Sequence, residues 1–387
     1  MMSVLGNTVI SFEEEQAMLL EYAQNFCADI GIDSVREHLE DTQPYPAQTW
    51  ERIVDLGWTS IGLPESVGGA GMGIASAVPV LEAMGKSLLG TPLMSSLLAA
   101  QLLLRSGASN LEPYLAAIAA GEPATVAFLE SEDWQAAGTS TRVASDSHLM
   151  GKKRFVMDGR AARWIVVVSQ CACEESGGSA DPVMAPALAV VDSNKLGEDA
   201  FRDITLIDLT RRSVDLALNG VVPEVVISGD KVADALRDWH LLGALLVAAE
   251  ATGAAARCLD SIVDYLTTRK QFDKLIGSYQ ALKHPSVEIL NEMESARSFV
   301  YHAATHVDLA GDGSLGRDAE IACRMAKAQA TEALKFAGDR AVQFHGGMGF
   351  TWDCDAQLFV RRAQWSQQQF GDAQHHREML APLLLDR

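Results

Sequence analysis

Apolar residues recur at helical spacing from about Glu13 to Leu115, and "TQPYPAQTWERIVDLGW" breaks that run with prolines before a new helix start. Within it, "GLPESVGGAGMG" holds too many glycines for a helix interior and predicts a loop between helices. From about Glu122 to Ile227 the texture changes to short β-branched or alternating runs, "RWIVVVSQC", "PALAVVDS" and "VDLALNGVVPEVVIS", parted by turn residues. "CEESGGSADPVMAPA", between two of them, predicts an exposed loop. From Lys231 helices return. One apolar side runs from Leu241 to Leu266, and "HPSVEILNEMESARSFVYHAATHVD" predicts a second helix. "RDAEIACRMAKAQATEALKFAGDRAVQF" predicts a third, with Asp318 as its N-cap, and "AQLFVRRAQWSQQQF" a fourth. Long helices joined by short polar links predict a bundle. The predicted fold is α+β, mostly α: a helical N-terminal domain over 1–121, a middle β domain over 122–230 and a C-terminal four-helix bundle over 231–387.

Composition narrows the function classes. A length of 387 residues exceeds one ordinary hydrophobic core, which fits several domains. The net charge of −20 argues against nucleic acid or an anionic membrane surface as partner. The start of the chain has no basic flank before an apolar run, so no signal peptide is expected. No stretch supplies the ~18 uninterrupted apolar residues of a membrane span. The cysteines (Cys27, Cys171, Cys173, Cys258, Cys323, Cys354) are scattered, and Cys171-x-Cys173 has no second pair to complete a metal site. Reduced thiols and a cytoplasmic location are the expectation.

Three motifs, in order, give a sharper reading. "LGWTSIGLPESVGGAGMG", "DYLTTRKQFDKLIGSYQALKH" and "AVQFHGGMGF" resemble an N-terminal loop, an R-x-Q-F-G…I-G-x-x-Q signature and a Q-x-x-G-G-x-G-F signature. These belong to the acyl-CoA dehydrogenase family, which the chain resembles over almost its whole length. The resemblance implies α,β-desaturation of an acyl-CoA thioester, with a carboxylate taking the α-proton and FAD the β-hydride. It also implies an electron-transfer flavoprotein or similar acceptor.

In that family one subunit's β domain holds the flavin ring, and a neighbour's bundle holds the pyrophosphate and adenosine. For the second half the resemblance implies Arg269 at the pyrophosphate, Phe272 beside the cofactor, Gln280 at the family glutamine, and Gln343, Gly346 and Gly347 at the adenosine side. Asp273 replaces the signature's glycine. An exposed arginine after a helix and a glycine pair that stops one remain the plain alternatives. The flavin-ring half departs from the family. "AFLESEDWQAAGTSTRVA" gives no clean match to T-E-x-x-x-G-S-D, and Phe155 and Met157 stand where the family has Trp and a hydroxyl-bearing Thr.

Both positions at which the family carries its catalytic Glu lack a carboxylate. The first, before the glycine of the final loop, is Phe370 ahead of Gly371; the second falls on Gly243 and Ala244. Asp372, two residues beyond Phe370, and Glu250, about 10 Å along the helix from the second position, are the weak candidates. The pattern resembles the non-catalytic subunit of heteromeric α2β2 members, whose homologous partner supplies the Glu and which act on bulky, steroid-type acyl-CoA. A self-sufficient homotetramer using Asp372 or Glu250, and a non-enzymatic acyl-CoA-binding scaffold, are the other readings.

Overall fold

The computed structural model describes residues 14–39, 41, 43–132, 134, 139–172 and 184–385. Cys173, most of the segment expected as an exposed loop, and the first 13 residues lie outside these. Helices α1 (Glu14–His38), α2 (Ala47–Asp55), α3 (Ala77–Lys86), α4 (Leu93–Ser106) and α5 (Glu112–Ala119) come first. α1 is kinked at Gly31, which takes φ 71. The glycine-rich stretch before α3 is a run of turns, as its composition predicts.

The middle of the chain forms two stacked sheets. The larger contains β1 (Ala124–Ala127), β2 (Arg142–Val143), β3 (Leu149–Met150), β5 (Trp164–Ala172), β6 (Met184–Asp192) and β9 (Val225–Ser228). The smaller has the order β4 (Lys152–Met157), β8 (Ser213–Ala217), β7 (Phe201–Ile204). β5 shows why "WIVVVS" is continuously apolar. Ile165 and Val167 face the smaller sheet, where Val156, Val214 and Leu216 pack, while Val166 and Val168 join the core with the helices. A strand covered on both faces has no polar side to alternate with. Residues 184–187 of the expected loop belong instead to β6.

The C-terminal region is α6 (Lys231–Thr268), a small hairpin of β10 (Lys270–Gln271) and β11 (Lys274–Leu275), then α7 (Gln280–Ala310), α8 (Arg317–His345), α9 (Ala356–Gln368) and α10 (Ala373–Leu385). α10 is a further helix beyond the expected four. α7 starts a turn before His284 and carries Pro285 inside it. Gly316, not Asp318, occupies the N-cap of α8; Asp318 lies in the first turn, where its charge suits the helix dipole. α6 is apolar enough over 18 residues to cross a membrane, but 94% of that stretch is buried inside the protein. It is the central core helix.

α3 crosses α6 at two glycines. A methyl group added at Gly85 would stand 2.0 Å from the Glu250 carbonyl oxygen, and one at Gly253 1.8 Å from that of Glu82. Any side chain there would force the helices apart. Glu82, buried beside this crossing, accepts hydrogen bonds from Arg297 Nε at 2.9 Å and Tyr301 Oη at 2.7 Å, which ties α3 to α7.

Candidate active site and cofactor half-site

Three cavities adjoin where the sheets meet the helices. One of about 220 Å³ is walled by Phe128, Leu129, Ser131, Thr139, Gln170 and Leu236. Another of about 220 Å³ is walled by Phe155, Met157, Ile207, Arg212, Gln364 and Gln368. The space between them is only about 30 Å³, walled by Ser95, Phe128, Leu129, Trp134, Met157, Trp239 and Phe370. That is room for a water molecule or two.

Aromatic rings account for the narrowing. The Phe370 ring lies 4.7 Å from Trp134, 5.2 Å from Trp239 and 5.6 Å from His240, centroid to centroid. Phe128 stacks on Trp134 at 5.7 Å. These separations suit favourable ring pairing. Gly243, one turn along α6 from Trp239, leaves the space into which Phe370 projects.

Phe370 is aimed there by a strained loop. α9 ends at Gln368 with Gln369 as its C-cap, after which Phe370 takes φ 56 and Gly371 φ 90. A left-handed phenylalanine costs about 1–3 kcal/mol and persists only when its surroundings fix it. Here Lys327 Nζ, fully buried, donates to Gly371 O at 2.7 Å, and His376 Nε2 lies 3.0 Å from Phe370 O. Burial holds the Lys327 ammonium down at about 7, opposed by Asp372. Burial, then the cations Lys327 and Arg324, hold His376 at about 2, so its imidazole is neutral. Asp372 Oδ1 accepts from His375 N at 2.8 Å and thereby caps α10. That carboxylate faces the start of a helix and does not line the constriction.

On the opposite wall a bulge in the β4–β8 pairing, between Lys153 and Val156, re-aims the chain. It carries Phe155, with φ 50, and Met157 into the site. The Thr125 hydroxyl nearby donates to Met157 O at 2.6 Å. Glu130 anchors the stretch that matched no motif: it accepts from Lys153 Nζ at 2.7 Å, from the Thr139 hydroxyl, and from the amides of Ser140 and Thr141 at 2.7 and 2.9 Å. Burial would raise its pKa, but the bonds from Lys153, Ser140 and Thr139 hold it well below the usual carboxylate range. Burial lowers Lys153 to about 8 against the pull of Glu130.

Glu250 is 1% exposed, and its Oε1 is paired with Arg211 and, at 3.1 Å, with Arg362. Arg362 also bonds Asp208 and, at 2.5 Å, Thr210 Oγ1. This buried network joins the α6 and α9 helices to the loop after β7. Glu250 lines none of the three cavities.

At the far end of the bundle the remaining predicted residues share one surface. Tyr265, one turn before Arg269, stacks on His345 at 4.5 Å, so the C-terminal ends of α6 and α8 meet. This brings Arg269 to the same end as Gln343, Gly346 and Gly347. All four are exposed, as are Phe272 and Gln280. Phe272 and Asp273, with φ 53 and 60, form the tip of the β10–β11 hairpin, and Phe272 is 86% exposed. Among the described residues Arg269 has no ion-pair partner, and a Cβ at Gly346 or Gly347 would meet only open space. An unpaired guanidinium beside open backbone suits a phosphate-bearing ligand.

Several residues of the constriction were not marked by sequence. Trp134 and Trp239 sit in stretches without a motif, and His376 follows the last one. Lys327 carried a signal: a lysine on the buried face of a helix must serve a specific acceptor.

Comparison with known proteins agrees with this architecture. The family description "Acyl-CoA dehydrogenase, N-terminal domain" matches residues 13–122, and "Acyl-CoA dehydrogenase, C-terminal domain" matches residues 241–385. Acyl-CoA dehydrogenase IpdE2 of Mycolicibacterium smegmatis is 30% identical over 344 residues, 88% of each chain. The ChsE4-ChsE5 complex of Mycobacterium tuberculosis contains a chain that superposes with a TM-score of 0.82 at 24% identity, covering 97% of this chain and 99% of that one. A chain of the Tcur3481-Tcur3483 steroid ACAD G363A variant superposes with a TM-score of 0.81 at 23% identity, covering 96% and 98%. At these identities the two structures speak for the fold.

Proposed function

The chain belongs to the acyl-CoA dehydrogenase family, and within it we propose a subunit of a heteromeric, FAD-dependent enzyme whose homologous partner supplies the catalytic glutamate. The reaction is α,β-desaturation of an acyl-CoA thioester. In this proposal the acyl group is bulky and steroid-type, the class that resemblance to heteromeric members implies. Electrons pass on to an electron-transfer flavoprotein or similar acceptor.

One observation carries the reading. The two positions where the family bears its base, Phe370 and Gly243, touch each other here, and a phenyl ring fills the space between them. Among the described residues no carboxylate lines the constriction, and about 30 Å³ leaves no room for an acyl chain. Of the two other acids, Asp372 caps a helix and Glu250 is held by two arginines. General-base catalysis requires a carboxylate within hydrogen-bond reach of the proton it takes.

FAD is the cofactor, and it supplies the hydride acceptor that side chains lack. The residues of this chain that would hold it are Arg269 at the pyrophosphate and Gln343, Gly346 and Gly347 at the adenosine, with Phe272 and Gln280 beside them. The unpaired guanidinium and the open glycine turn fit such a group. Their exposure suits a site completed by a neighbouring chain.

Co-expression with a homologous subunit that retains the glutamate tests the proposal. The pair should bind FAD and oxidise acyl-CoA, whereas this chain alone should retain little FAD and reduce none. Stoichiometric flavin in the lone chain, bleached by an acyl-CoA, overturns the reading.

A further inference from the structure

α7 is fixed where it passes α3. Arg297 Nε and Tyr301 Oη donate to Glu82 at 2.9 and 2.7 Å, and Val300, Ala303, Ala304 and Val307 are buried. The solvent side of the same stretch carries His302, exposed, and His306, half-buried. Residues four apart are neighbours on one helix face. The two ring centroids lie 4.6 Å apart, with the ring planes at 83°. Among the described residues neither ring enters a hydrogen bond or an ion pair. Other histidines are engaged: His38 and His148 with aspartates, His345 and His376 with backbone carbonyls.

The separation has a chemical meaning. A divalent metal bound to imidazole sits about 2.0–2.1 Å from the nitrogen, and so about 3.2 Å from the ring centre. Two rings at right angles about one ion then have centres about 4.5 Å apart, whereas a tetrahedral angle needs about 5.2 Å. The 4.6 Å found here fits the right-angled case, the geometry of tetragonal Cu²⁺ and Ni²⁺. Histidine χ2 is a broad torsion, so each ring turns a nitrogen toward the ion without any backbone change. Histidines four apart on one helix also chelate zinc in H-E-x-x-H enzymes. Ala303 stands where those enzymes carry their glutamate, so the pair here suits binding and not hydrolysis.

We propose that His302 and His306 chelate one divalent transition-metal ion, with Cu²⁺ held most tightly. Imidazole nitrogen prefers such ions, and copper heads their affinity order. Among the described residues no third His, Cys, Asp or Glu joins the pair, so water fills the other positions. The net charge of −20 draws cations in general, but only the imidazoles select among them. The inference goes beyond the proposed function. Its test reads neither FAD nor turnover, so either idea falls without the other.

The test is calorimetric titration of the full-length, untagged chain with Cu²⁺ in excess Mg²⁺, which occupies carboxylates and leaves imidazole free. One Cu²⁺ should bind per chain, and electron spin echo spectra should show two coordinated imidazole nitrogens. The second imidazole binds within the same chain, so His302→Ala and His306→Ala should each weaken binding by about a hundredfold or more. His302→Gln and His306→Gln, which keep a polar side chain, should lose as much and stand in for any alanine variant that fails to fold. His284→Ala, at an exposed histidine earlier on α7, should change nothing. Ni²⁺ should bind at the same residues more weakly than Cu²⁺. Copper binding that survives loss of either histidine overturns the proposal. So does displacement by Mg²⁺, or a spectrum with a single imidazole nitrogen.

Discussion

The ring of Phe370 rests on the backbone of Gly243: a methyl group added to that glycine would stand 2.3 Å from Phe370 Cε1 and 2.4 Å from Cζ. These residues are 127 positions apart in a 387-residue chain, on α6 and beyond α9. They are also the two places at which the resemblance puts a catalytic glutamate. Their contact brings the two places to one point. Here that point holds a phenyl ring.

Gly243→Ala should therefore destabilise the protein by about 1–3 kcal/mol, as overpacking does. Phe370→Ala should relieve it, so that the double variant is more stable than the sum of the single effects by about 0.5–3 kcal/mol. Urea denaturation of the four proteins measures the coupling. Strict additivity would show that the two residues do not compete for this space.

Stability should fall on the acid side because of the groups beneath Phe370. His376 is moved from 6.5 to about 2, so below pH 6.5 the unfolded chain takes up a proton that the folded one refuses. Stability is then lost as pH falls from 6.5, by up to about 1.4 kcal/mol per pH unit. Lys327, moved from 10.5 to about 7, adds a second window: stability should rise with pH between those values. His376→Gln should flatten the lower window and Lys327→Met the upper. Melting temperatures followed from about pH 5 to 9 check this, and unchanged slopes in both variants would remove these groups as the cause.

Much of the fold was legible because its elements obey local rules. The long apolar side of α6 reads as a helix whatever it packs against, and "WIVVVS" reads as a short β-branched strand. That Phe370 and Gly243 stand where the resemblance puts a glutamate was read by position counting alone. What the sequence did not reveal depends on contacts distant along the chain. Glu130 was not singled out, because its partner Lys153 lies 23 residues on and the loop hydroxyls return to it from Thr139 and Ser140. Glu250 looked like a spare carboxylate because Arg211 and Arg362 approach it from two other elements. Trp134 carries no periodic signal at all. α10 lies beyond the last predicted helix, and Asp372 caps its start directly after Gly371.

Arg269→Ala in the assembled complex should abolish FAD retention, although Arg269 lies in the chain without the base. A guanidinium paired with a pyrophosphate makes charge-assisted hydrogen bonds, and alanine would leave the phosphate charge unpaired at an interface. Flavin absorbance per subunit after gel filtration is the measurement. Full retention would place the pyrophosphate elsewhere. Arg269→Lys should recover only part, because an ammonium lacks the planar fork.

Asp372 separates the two enzymatic readings most sharply. As a base it would have to face substrate, and Asp372→Asn would then lower turnover by about a hundredfold or more. Its carboxylate is engaged otherwise, accepting the His375 amide at 2.8 Å at the start of α10 while opposing the burial that lowers Lys327. Asparagine caps a helix about as well as aspartate, so Asp372→Asn should lose little of that contact, and Asp372→Ala should lose about 1 kcal/mol of stability. The asparagine change also removes the negative charge nearest Lys327, which should lower that ammonium's pKa further and favour a neutral lysine that still donates to Gly371 O. Phe370 then stays where it is. In the complex with a glutamate-bearing partner, turnover of Asp372→Asn at saturating acyl-CoA should remain within about a few-fold of wild type. A collapse of the rate with FAD content and assembly intact would make Asp372 the base, and this chain a catalytic subunit in its own right.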